Sequence, residues 1–171
     1  MDKNSNLEGL EKLLNELEEQ SCPKDEGVVV KVVNKSKFDL PEYKHIGDSG
    51  MDVKANIDEP ITLRSLERYL VPTGLYFQLP EGYEIQVRPR SGLAAKYGLT
   101  VLNTPGTVDE GYTGQVMVIL VNLSNEPYTI TPGERVAQLV LCRVEKARLD
   151  SVLFLEETTR GGSGFGSSGK F

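Results

Sequence analysis

The sequence predicts an all-β fold, a jelly-roll-like sandwich or barrel built from short strands. Short runs rich in Val, Ile, Leu and Tyr recur through the central region, and Gly or Pro separates most of them. Many short strands with such punctuation are typical of sandwiches and barrels rather than of alternating strands and helices. The predicted strands are residues 28–33, 51–55, 69–71, 83–88, 115–122 and 135–144, and residues 92–97 are predicted to be helical.

A weak internal repeat supports an architecture with two related halves. One copy, Leu-Arg-Ser-Leu-Glu-Arg, begins at Leu63, and the other, Ile-Thr-Pro-Gly-Glu-Arg, begins at Ile130. In each copy a turn is followed by Glu-Arg and a strand, and equivalent positions lie 67 residues apart. Such a repeat is consistent with a jelly roll.

The chain is expected to divide into three parts: a helical extension over residues 1–24, a β core over 25–158 and a C-terminal arm over 159–171. In the first part, five leucines follow helical spacing, and Ser5 with Glu8 fits a capping box. These leucines are Leu7, Leu10, Leu13, Leu14 and Leu17. So short a helix is marginal alone, so we expect it to pack on the core or on a neighbouring subunit.

The last twelve residues, 160–171, combine a mobile composition with groups that bind ligands. Eight of the twelve are Gly or Ser, so the arm is predicted to be flexible when free. Arg160 can bind a phosphate group and Phe165 can stack on a flat ring. The segment is therefore either an arm that closes over a phosphorylated, aromatic ligand or a plain flexible tail.

Length, charge and cysteine content limit the possible functions. A chain of 171 residues suits one domain, and its net charge of −6 argues against a broad nucleic-acid surface. Cys22 and Cys142 have no metal-binding spacing and are expected to be reduced thiols in a cytoplasmic protein. No membrane segment or signal peptide is expected. An anionic ligand would need locally placed arginines, a metal ion or both.

A predicted strand-to-helix junction carries the first candidate binding residues. Arg90, Ser91 and Gly92 follow the predicted strand 83–88 and precede the helical stretch. Free N–H groups and a hydroxyl at a helix start favour an anion. Taken alone, these residues are better explained by an ordinary helix cap with a turn glycine.

The connection over residues 103–114 carries the second group. It joins two apolar strands, and the backbone of a hairpin there could read the hydrogen-bonding edge of a ligand. Asp109 could orient or deprotonate a water molecule, and Tyr112 could lie beneath a sugar. The alternative is a long polar hairpin without a binding role.

Two further polar residues stand at strand positions. Asp52 begins a predicted strand and could hold Mg²⁺ through water, although a surface turn is the simpler interpretation. Gln138 lies between Ala137 and Leu139 and needs a partner, which is either backbone or ligand. His45, the one histidine, is expected on the surface.

The order and spacing of these stretches resemble the five motifs of the trimeric, all-β dUTPase family. In this sequence the motifs are Ser-Gly-Met-Asp-Val (49–53), Pro-Arg-Ser-Gly-Leu-Ala (89–94), residues 103–114, Gly-Glu-Arg-Val-Ala-Gln (133–138) and the arm from Arg160. The resemblance implies hydrolysis of dUTP to dUMP and pyrophosphate, which limits uracil entry into DNA and supplies dUMP for thymidylate synthesis. It also implies a homotrimer with shared sites, Mg²⁺ as the cofactor and no nucleic-acid or membrane partner.

The resemblance assigns a role to each matching residue. Asp109 would activate the attacking water, and Asp52 would bind Mg²⁺ through water. Tyr112 would lie under the deoxyribose, and Phe165 would stack on the uracil. The remaining substrate contacts would come from Arg90, Ser91, Gly92 and Gln138 toward phosphate, from Asn103, Gly106 and Val108 toward uracil, and from Arg160, Gly166, Ser167 and Ser168 in the closing arm.

Two other functions compete with dUTP hydrolysis. A dCTP deaminase of the same fold would need a glutamate base, for which Glu110 is the one feature available. A non-catalytic trimeric module that binds a regulator is the second. One departure from the family pattern also stands out, because Arg-Ser-Leu (64–66) replaces the usual Pro-Gly turn before Glu67 and leaves the conformation of that loop open.

Overall fold

Ten β-strands and one short helix make up residues 27–164, which are the residues that the computed structural model describes. In chain order they are β1 (Lys31–Asn34), β2 (Met51–Lys54), β3 (Ile61–Leu63), β4 (Arg68–Gln78), β5 (Tyr83–Pro89), α1 (Ser91–Tyr97), β6 (Leu99–Val101), β7 (Gly106–Val108), β8 (Gln115–Asn122), β9 (Tyr128–Ile130) and β10 (Arg135–Arg143). The prediction of an all-β fold is confirmed. Over residues 27–164 no helix has the length and hydropathy that a membrane span requires. The helix predicted for residues 1–24 lies outside the described residues.

Two four-stranded antiparallel sheets enclose the core. Their strand orders are β1-β4-β8-β6 and β2-β10-β5-β7, and β3 pairs with β9 in a separate ribbon. Buried and half-buried positions alternate along most of β8, so one face of the strand packs inward. Ile85, Leu120 and Leu139 are among the large side chains that are almost completely buried between the sheets. Each such side chain contributes about 1.5–3 kcal/mol relative to an exposed one.

The internal repeat has a structural counterpart. β4 pairs with β8 so that Arg68 faces Val121, and β10 pairs with β2 so that Arg135 faces Lys54. Arg135 lies 67 positions after Arg68, and Lys54 lies 67 positions before Val121. The second pair is therefore the counterpart of the first in the other half of the repeat. β3 and β9 pair with each other, and the hydroxyls of Thr62 and Thr129, also 67 residues apart, lie 2.9 Å apart. The two halves of the core are therefore related as a jelly roll requires.

The strand predicted for residues 69–71 is much longer, because Pro72 and Gly74 do not end it. β4 runs from Arg68 to Gln78, and its register with β8 shifts between Pro72 and Tyr76. Within the bulge, the Thr73 hydroxyl donates to the Val116 carbonyl at 2.6 Å, and the Gly74 N–H donates to the Gln115 side chain at 3.0 Å. A bulge is one of the few strand positions where proline is tolerated.

Other strand boundaries also differ from the prediction. β1 begins at Lys31 rather than at 28, because its partner β4 ends at Gln78, directly opposite Lys31, and Pro80 follows. The three-residue strands β3, β6, β7 and β9 were not predicted, since runs this short leave no periodic signal. The 103–114 segment is more than a polar hairpin. Its flanking strands β6 and β8 pair, but β7 within it joins β5 in the other sheet.

Candidate active site

Asp52 and two arginines form an ion-paired cluster at the start of β10. Asp52 on β2 accepts a hydrogen bond from the Arg90 Nε and another from Arg135 Nη1, both at 3.1 Å. Arg90 follows β5 directly, and its Nη1 also donates to the Arg135 carbonyl at 2.9 Å. The Asp52 side chain is only 27% exposed, so this pairing is better shielded than a surface salt bridge. We name these three residues the Asp52 cluster.

Gln138 lies beside the cluster because of strand register. It faces Asp52 across the β10–β2 pair and Arg88 across the β10–β5 pair. Its Nε2 donates to the Pro89 carbonyl at 3.0 Å, so the polar partner expected for Gln138 is backbone in this structure. A side chain at Gly50 would bring its Cβ within 2.4 Å of Gln138 Oε1. Glycine at position 50 therefore makes room for this amide.

The helix that follows Arg90 exposes its first two residues. Ser91 and Gly92 are exposed, and a Cβ at Gly92 would meet no other atom within 4 Å. The Arg90 carbonyl accepts the N–H groups of Leu93 and Ala94, whereas the first N–H groups of any helix have no partner within it. The helix ends at Gly98, which is in the left-handed region and donates to the Ala94 carbonyl. Its first turn contains no acidic residue, and the Ser91 and Gly92 N–H groups donate no hydrogen bond within residues 27–164, so both are available to an anion.

The 103–114 segment borders a separate cleft of about 290 Å³. Four predicted substrate contacts line it, together with apolar residues of β4 and β8; the four are Asn103, Gly106, Val108 and Tyr112. A Cβ at Gly106 would lie 3.3 Å from the Asn103 side-chain nitrogen and 3.2 Å from the Val87 Cβ. The absence of a side chain at position 106 thus keeps Asn103 close to the β7–β5 pair.

Tyr112 is held against the mouth of this cleft by two contacts. Its hydroxyl donates to the Gln115 carbonyl at 2.9 Å. Its ring lies over Gly114, where a Cβ would come within 2.6 Å of the phenol. These contacts give the exposed ring one orientation, which a flat face under a sugar requires.

Asp109 directly follows Val108, the last residue of β7 and part of the cleft lining, whereas its neighbour Glu110 is engaged elsewhere. Asp109 is exposed, and its carbonyl accepts the Tyr112 N–H at 3.0 Å. Glu110 Oε2 accepts the Gly82 N–H at 2.9 Å and lies 3.7 Å from the Lys146 Nζ. A carboxylate held in this way is poorly suited to act as the base that a deaminase would need.

The arm has only local contacts where the structure describes it. Arg160 is exposed, and its Nε donates to the Ser163 carbonyl at 3.0 Å. No hydrogen bond or ion pair within residues 27–164 joins Arg160 to the Asp52 cluster or to the cleft. The predicted arm residues Phe165, Gly166, Ser167 and Ser168 lie outside the described residues. The candidate site is thus in separate pieces within one chain.

Two residues that were not predicted as site residues make contacts in the Asp52 cluster and beside α1. Arg135 belongs to a recognised motif, but its bond to Asp52 depends on β10–β2 register. Tyr128 on β9 donates its hydroxyl to Glu134, and its ring packs on Tyr97 at 5.1 Å between centroids. Burial raises the pKa of the Tyr128 hydroxyl far above its usual value, and the bond to Glu134 raises it further. Tyr128 had no sequence signal beyond its strand-like neighbours.

Comparisons with known proteins agree on one family. The family model described as dUTPase matches residues 36–169. The deoxyuridine 5'-triphosphate nucleotidohydrolase of Fusobacterium nucleatum is 60% identical over 143 residues, covering 84% of this chain and 98% of that protein. The Finegoldia magna protein of the same name is 51% identical over 140 residues, covering 82% and 98%. A structure of the G164S dUTPase of Staphylococcus bacteriophage 80alpha with dUpNHpp is 29% identical, with a TM-score of 0.73 and coverage of 82% and 98%.

Proposed function

This chain belongs to the dUTPase family and hydrolyses dUTP to dUMP and pyrophosphate, and we propose that Asp109 activates the attacking water. The observation that carries this proposal is the cleft that gathers Asn103, Gly106, Val108 and Tyr112, with Asp109 directly after Val108 in the chain. Asp109 is exposed and has no side-chain hydrogen bond within residues 27–164, so its carboxylate is available to accept a proton from water.

The cleft supports recognition of a uracil nucleoside. Backbone groups of β7 and the Asn103 amide border the cleft and offer donors and acceptors, and Tyr112 offers a flat ring. A base whose hydrogen-bonding edge does not match would leave buried polar groups unpaired, which discriminates strongly. Tyr112 would lie beneath the deoxyribose and leave no room for a 2′-hydroxyl.

The triphosphate would occupy the region between α1 and the Asp52 cluster. Arg90 supplies positive charge, Ser91 and Gly92 supply free N–H groups, and Gln138 supplies an amide. Arg160 and the arm residues Phe165, Gly166, Ser167 and Ser168 would complete the site on closure. Held in line and neutralised by these groups, the α-phosphate is open to water attack.

Members of the family typically use Mg²⁺, and the residues present fit an indirect role for Asp52. Within residues 27–164 no group of three or more His, Cys, Asp or Glu side chains could hold a metal ion directly. Each Asp52 oxygen accepts one arginine bond and keeps a lone pair for a metal-bound water. Asp52 would thus hold Mg²⁺ through water, while the triphosphate supplies direct ligands. When bound, the ion neutralises charge on the phosphate oxygens.

We also propose a homotrimer in which subunits share each site. The apolar residues Val152, Leu153, Phe154 and Leu155 are consecutive and exposed, which marks an interaction surface. An apolar groove of about 260 Å³ is lined among others by Val32 of β1, Met51 of β2 and Phe77 of β4. An apolar run and an apolar groove on the same chain are complementary between copies. The proposed location is the cytoplasm, where Cys142, which has no disulfide in the described residues, would stay reduced.

One variant tests the proposed base. Asp109→Asn keeps the size of the side chain and one acceptor oxygen but cannot accept the proton, so turnover of dUTP should fall roughly 10²–10⁴-fold. Binding of a non-hydrolysable dUTP analogue should be nearly unchanged, and calorimetry measures it. Turnover near that of the unmodified protein would remove Asp109 from this role.

A mixing experiment tests the shared sites. Asp109→Asn and Arg90→Ala chains are each expected to be inactive alone, and light scattering should give three times the chain mass of 18.9 kDa for both. Mixed trimers, made by co-expression, should regain part of the activity if Asp109 and Arg90 of one site come from different subunits. A mixture as inactive as its components would mean that one subunit supplies both residues.

A further inference from the structure

We propose that Glu110 is a positioning residue whose carboxylate, bonded to the Gly82 backbone, holds Asp109 in place for the attacking water. The proposal rests on the role of Asp109 proposed above and adds a residue that this mechanism does not use. It also gives Glu110 a function different from that of a deaminase base.

Asp109 is fixed on both sides by bonds to the same neighbouring strand. On one side, Val108 is the last residue of β7 and faces Ile85 on β5. On the other side, Glu110 accepts the N–H of Gly82, the residue before β5 begins. The carboxylate therefore adds a bond between these two segments beyond the end of the β7–β5 backbone pairing, and Asp109 lies between the two attachments.

Asp109 has little else to define its position. Asp109, Gly111, Tyr112 and Thr113 are all exposed. The other hydrogen bonds of this stretch are local, since Tyr112 donates its N–H to Asp109 and its hydroxyl to Gln115. Among the described residues, Glu110 makes the polar contacts that join residues 109–113 to a different part of the chain.

The point of attachment is well anchored. Gly82 is in the left-handed region with φ of +79°, and its carbonyl accepts the Val144 N–H at 2.9 Å. The next residue, Tyr83, faces Arg143 in the β5–β10 pair. The hydrogen bond that Glu110 accepts therefore attaches it to the end of the β5–β10 pair rather than to a free loop.

The hydrogen bond to Gly82 matters more than the ion pair to Lys146. The Lys146 side chain is 73% exposed and its Nζ lies 3.7 Å from the carboxylate, so its contribution is small. The Gly82 N–H donates to an ionised oxygen at 2.9 Å in a half-buried place, which makes a stronger bond. A small displacement of a catalytic group is costly, because an error of about 1 Å can reduce the rate about 100-fold.

Three variants of the full chain test the proposal with dUTP as substrate. Glu110→Ala should lower kcat by about 10-fold or more while KM changes less than about twofold, because Asp109 acts on the water and not on nucleotide binding. Glu110→Gln retains an oxygen that can accept the Gly82 N–H and should recover most of kcat. Lys146→Ala, which removes only the ion pair, should match the unmodified protein. Hydrogen exchange at the Gly82 amide should be faster in Glu110→Ala alone.

Several outcomes would overturn the proposal. They are an unchanged kcat in Glu110→Ala, an equal loss of kcat in Glu110→Ala and Glu110→Gln, and a rise in KM without a fall in kcat. If Glu110→Ala does not fold, Glu110→Gln and Lys146→Ala carry the test, since a large kcat loss in either contradicts it. Asp109→Asn is measured beside them. Full turnover in that variant would refute the proposed base, whereas an inactive Asp109→Asn with a fully active Glu110→Ala refutes only the positioning role.

Discussion

Two turns of the same design lead into the two longest strands, and only one of them lies beside the candidate site. The turn at Thr131–Glu134 precedes β10, and the turn at Arg64–Glu67 precedes β4. In each turn the glutamate carboxylate accepts the N–H of the residue three positions earlier, at 2.9 Å for Glu134 and 2.7 Å for Glu67. The loop whose conformation the sequence left open thus adopts the geometry of its repeat partner.

Each turn is anchored on a strand that belongs to the other half of the repeat. Leu66 donates its N–H to the Asn122 carbonyl at 2.7 Å, and Asn122 donates back to Glu67 at 3.1 Å. Asn122 is completely buried. This exchange of two backbone bonds fixes the third and fourth residues of the turn, whichever side chains they carry.

The second turn makes the same exchange. Gly133 donates its N–H to the Ala55 carbonyl at 2.9 Å, and Ala55 donates back to Glu134 at 2.8 Å. Ala55 and Asn122 are themselves 67 positions apart, as are the two turns, so each half supports the turn of the other. Backbone pairing alone therefore preserves the turn through the change from Pro-Gly to Ser-Leu.

The two turns differ in the contacts made by the glutamate and by the residue that follows it. Glu134 also accepts the Tyr128 hydroxyl, and the Tyr128 ring packs on Tyr97 of α1. Arg135 then bonds Asp52. In the first turn the position equivalent to Tyr128 is Ile61, which has no donor. One turn is therefore a structural connection, and the other joins α1 to the Asp52 cluster.

Among the variants that compare the two turns, Gly133→Ala should lower stability the most. Gly133 has φ of +78°, and an added Cβ would lie 2.9 Å from the Phe38 ring. The left-handed conformation and the displaced ring together should lower the free energy of unfolding by roughly 2 kcal/mol. Denaturant unfolding at one fixed protein concentration measures it, because the proposed homotrimer would unfold in a concentration-dependent way.

Leu66→Ala is the matched control for that variant. Leu66 already adopts the left-handed region with φ of 63° and is 71% exposed, so Ala should change stability by less than about 0.5 kcal/mol. Comparable losses in both variants would mean that the two turns do not differ as their contacts indicate.

The two glutamates should separate stability from substrate binding. Glu134→Ala removes the carboxylate that accepts hydrogen bonds from both Thr131 and Tyr128, so the free energy of unfolding should fall by about 1.5 kcal/mol. The KM for dUTP should rise, because α1 loosens. Glu67→Ala removes one exposed hydrogen bond, so the free energy of unfolding should fall by about 0.5–1 kcal/mol while the KM for dUTP stays unchanged. Unfolding and steady-state kinetics on both proteins test this, and a KM that rises equally in the two would contradict it.

These contacts also show which features were predictable from the sequence. α1 and β8 were correctly predicted because their patterns are local, and the cleft residues Asn103 and Tyr112 meet because they share one short segment. The bond between Arg135 and Asp52 joins residues far apart in the chain, and only the pairing of β10 with β2 brings them together. The predicted strand ends before Pro72, whereas β4 continues through it, because a bulge stabilised by the Thr73 side chain leaves no sequence pattern.

Tyr128→Phe tests the difference between the two turns further, because it removes only one hydroxyl. The ring stays on Tyr97 while the bond to Glu134 is lost, so stability should fall by about 1 kcal/mol. Tyr97→Phe is the control, because the Tyr97 hydroxyl has no hydrogen bond within residues 27–164 and its loss should change little. Equal losses of stability in the two variants would show that the Tyr128 hydroxyl does not link β9 to the turn.

The pH dependence of stability gives an independent check on Tyr128. Folding raises the pKa of this hydroxyl above its unfolded value of about 10, so the native state keeps the proton more tightly. The stabilisation is therefore complete below pH 10 and is lost as the pH rises above it. Tyr128→Phe should lose less stability than the unmodified protein as the pH rises from about 10 to 11. Parallel curves over that interval would contradict the raised pKa.

Leu66→Gly, which copies Gly133 into the first turn, should have the smallest effect. Glycine relieves a left-handed conformation that costs an L-residue about 1–2 kcal/mol, while its greater freedom in the unfolded chain costs about 0.5–1 kcal/mol. The exposed leucine side chain contributes little burial, so a net gain of about 0.5 kcal/mol is expected, with kcat and KM unchanged. Paired denaturant unfolding of Leu66→Gly and Leu66→Ala isolates the conformational contribution, since both remove the same side chain beyond Cβ. If Leu66→Gly is less stable than Leu66→Ala, the backbone bonds to Asn122 hold this turn without strain, and the glycine in the second turn is required by Phe38 rather than by its φ angle.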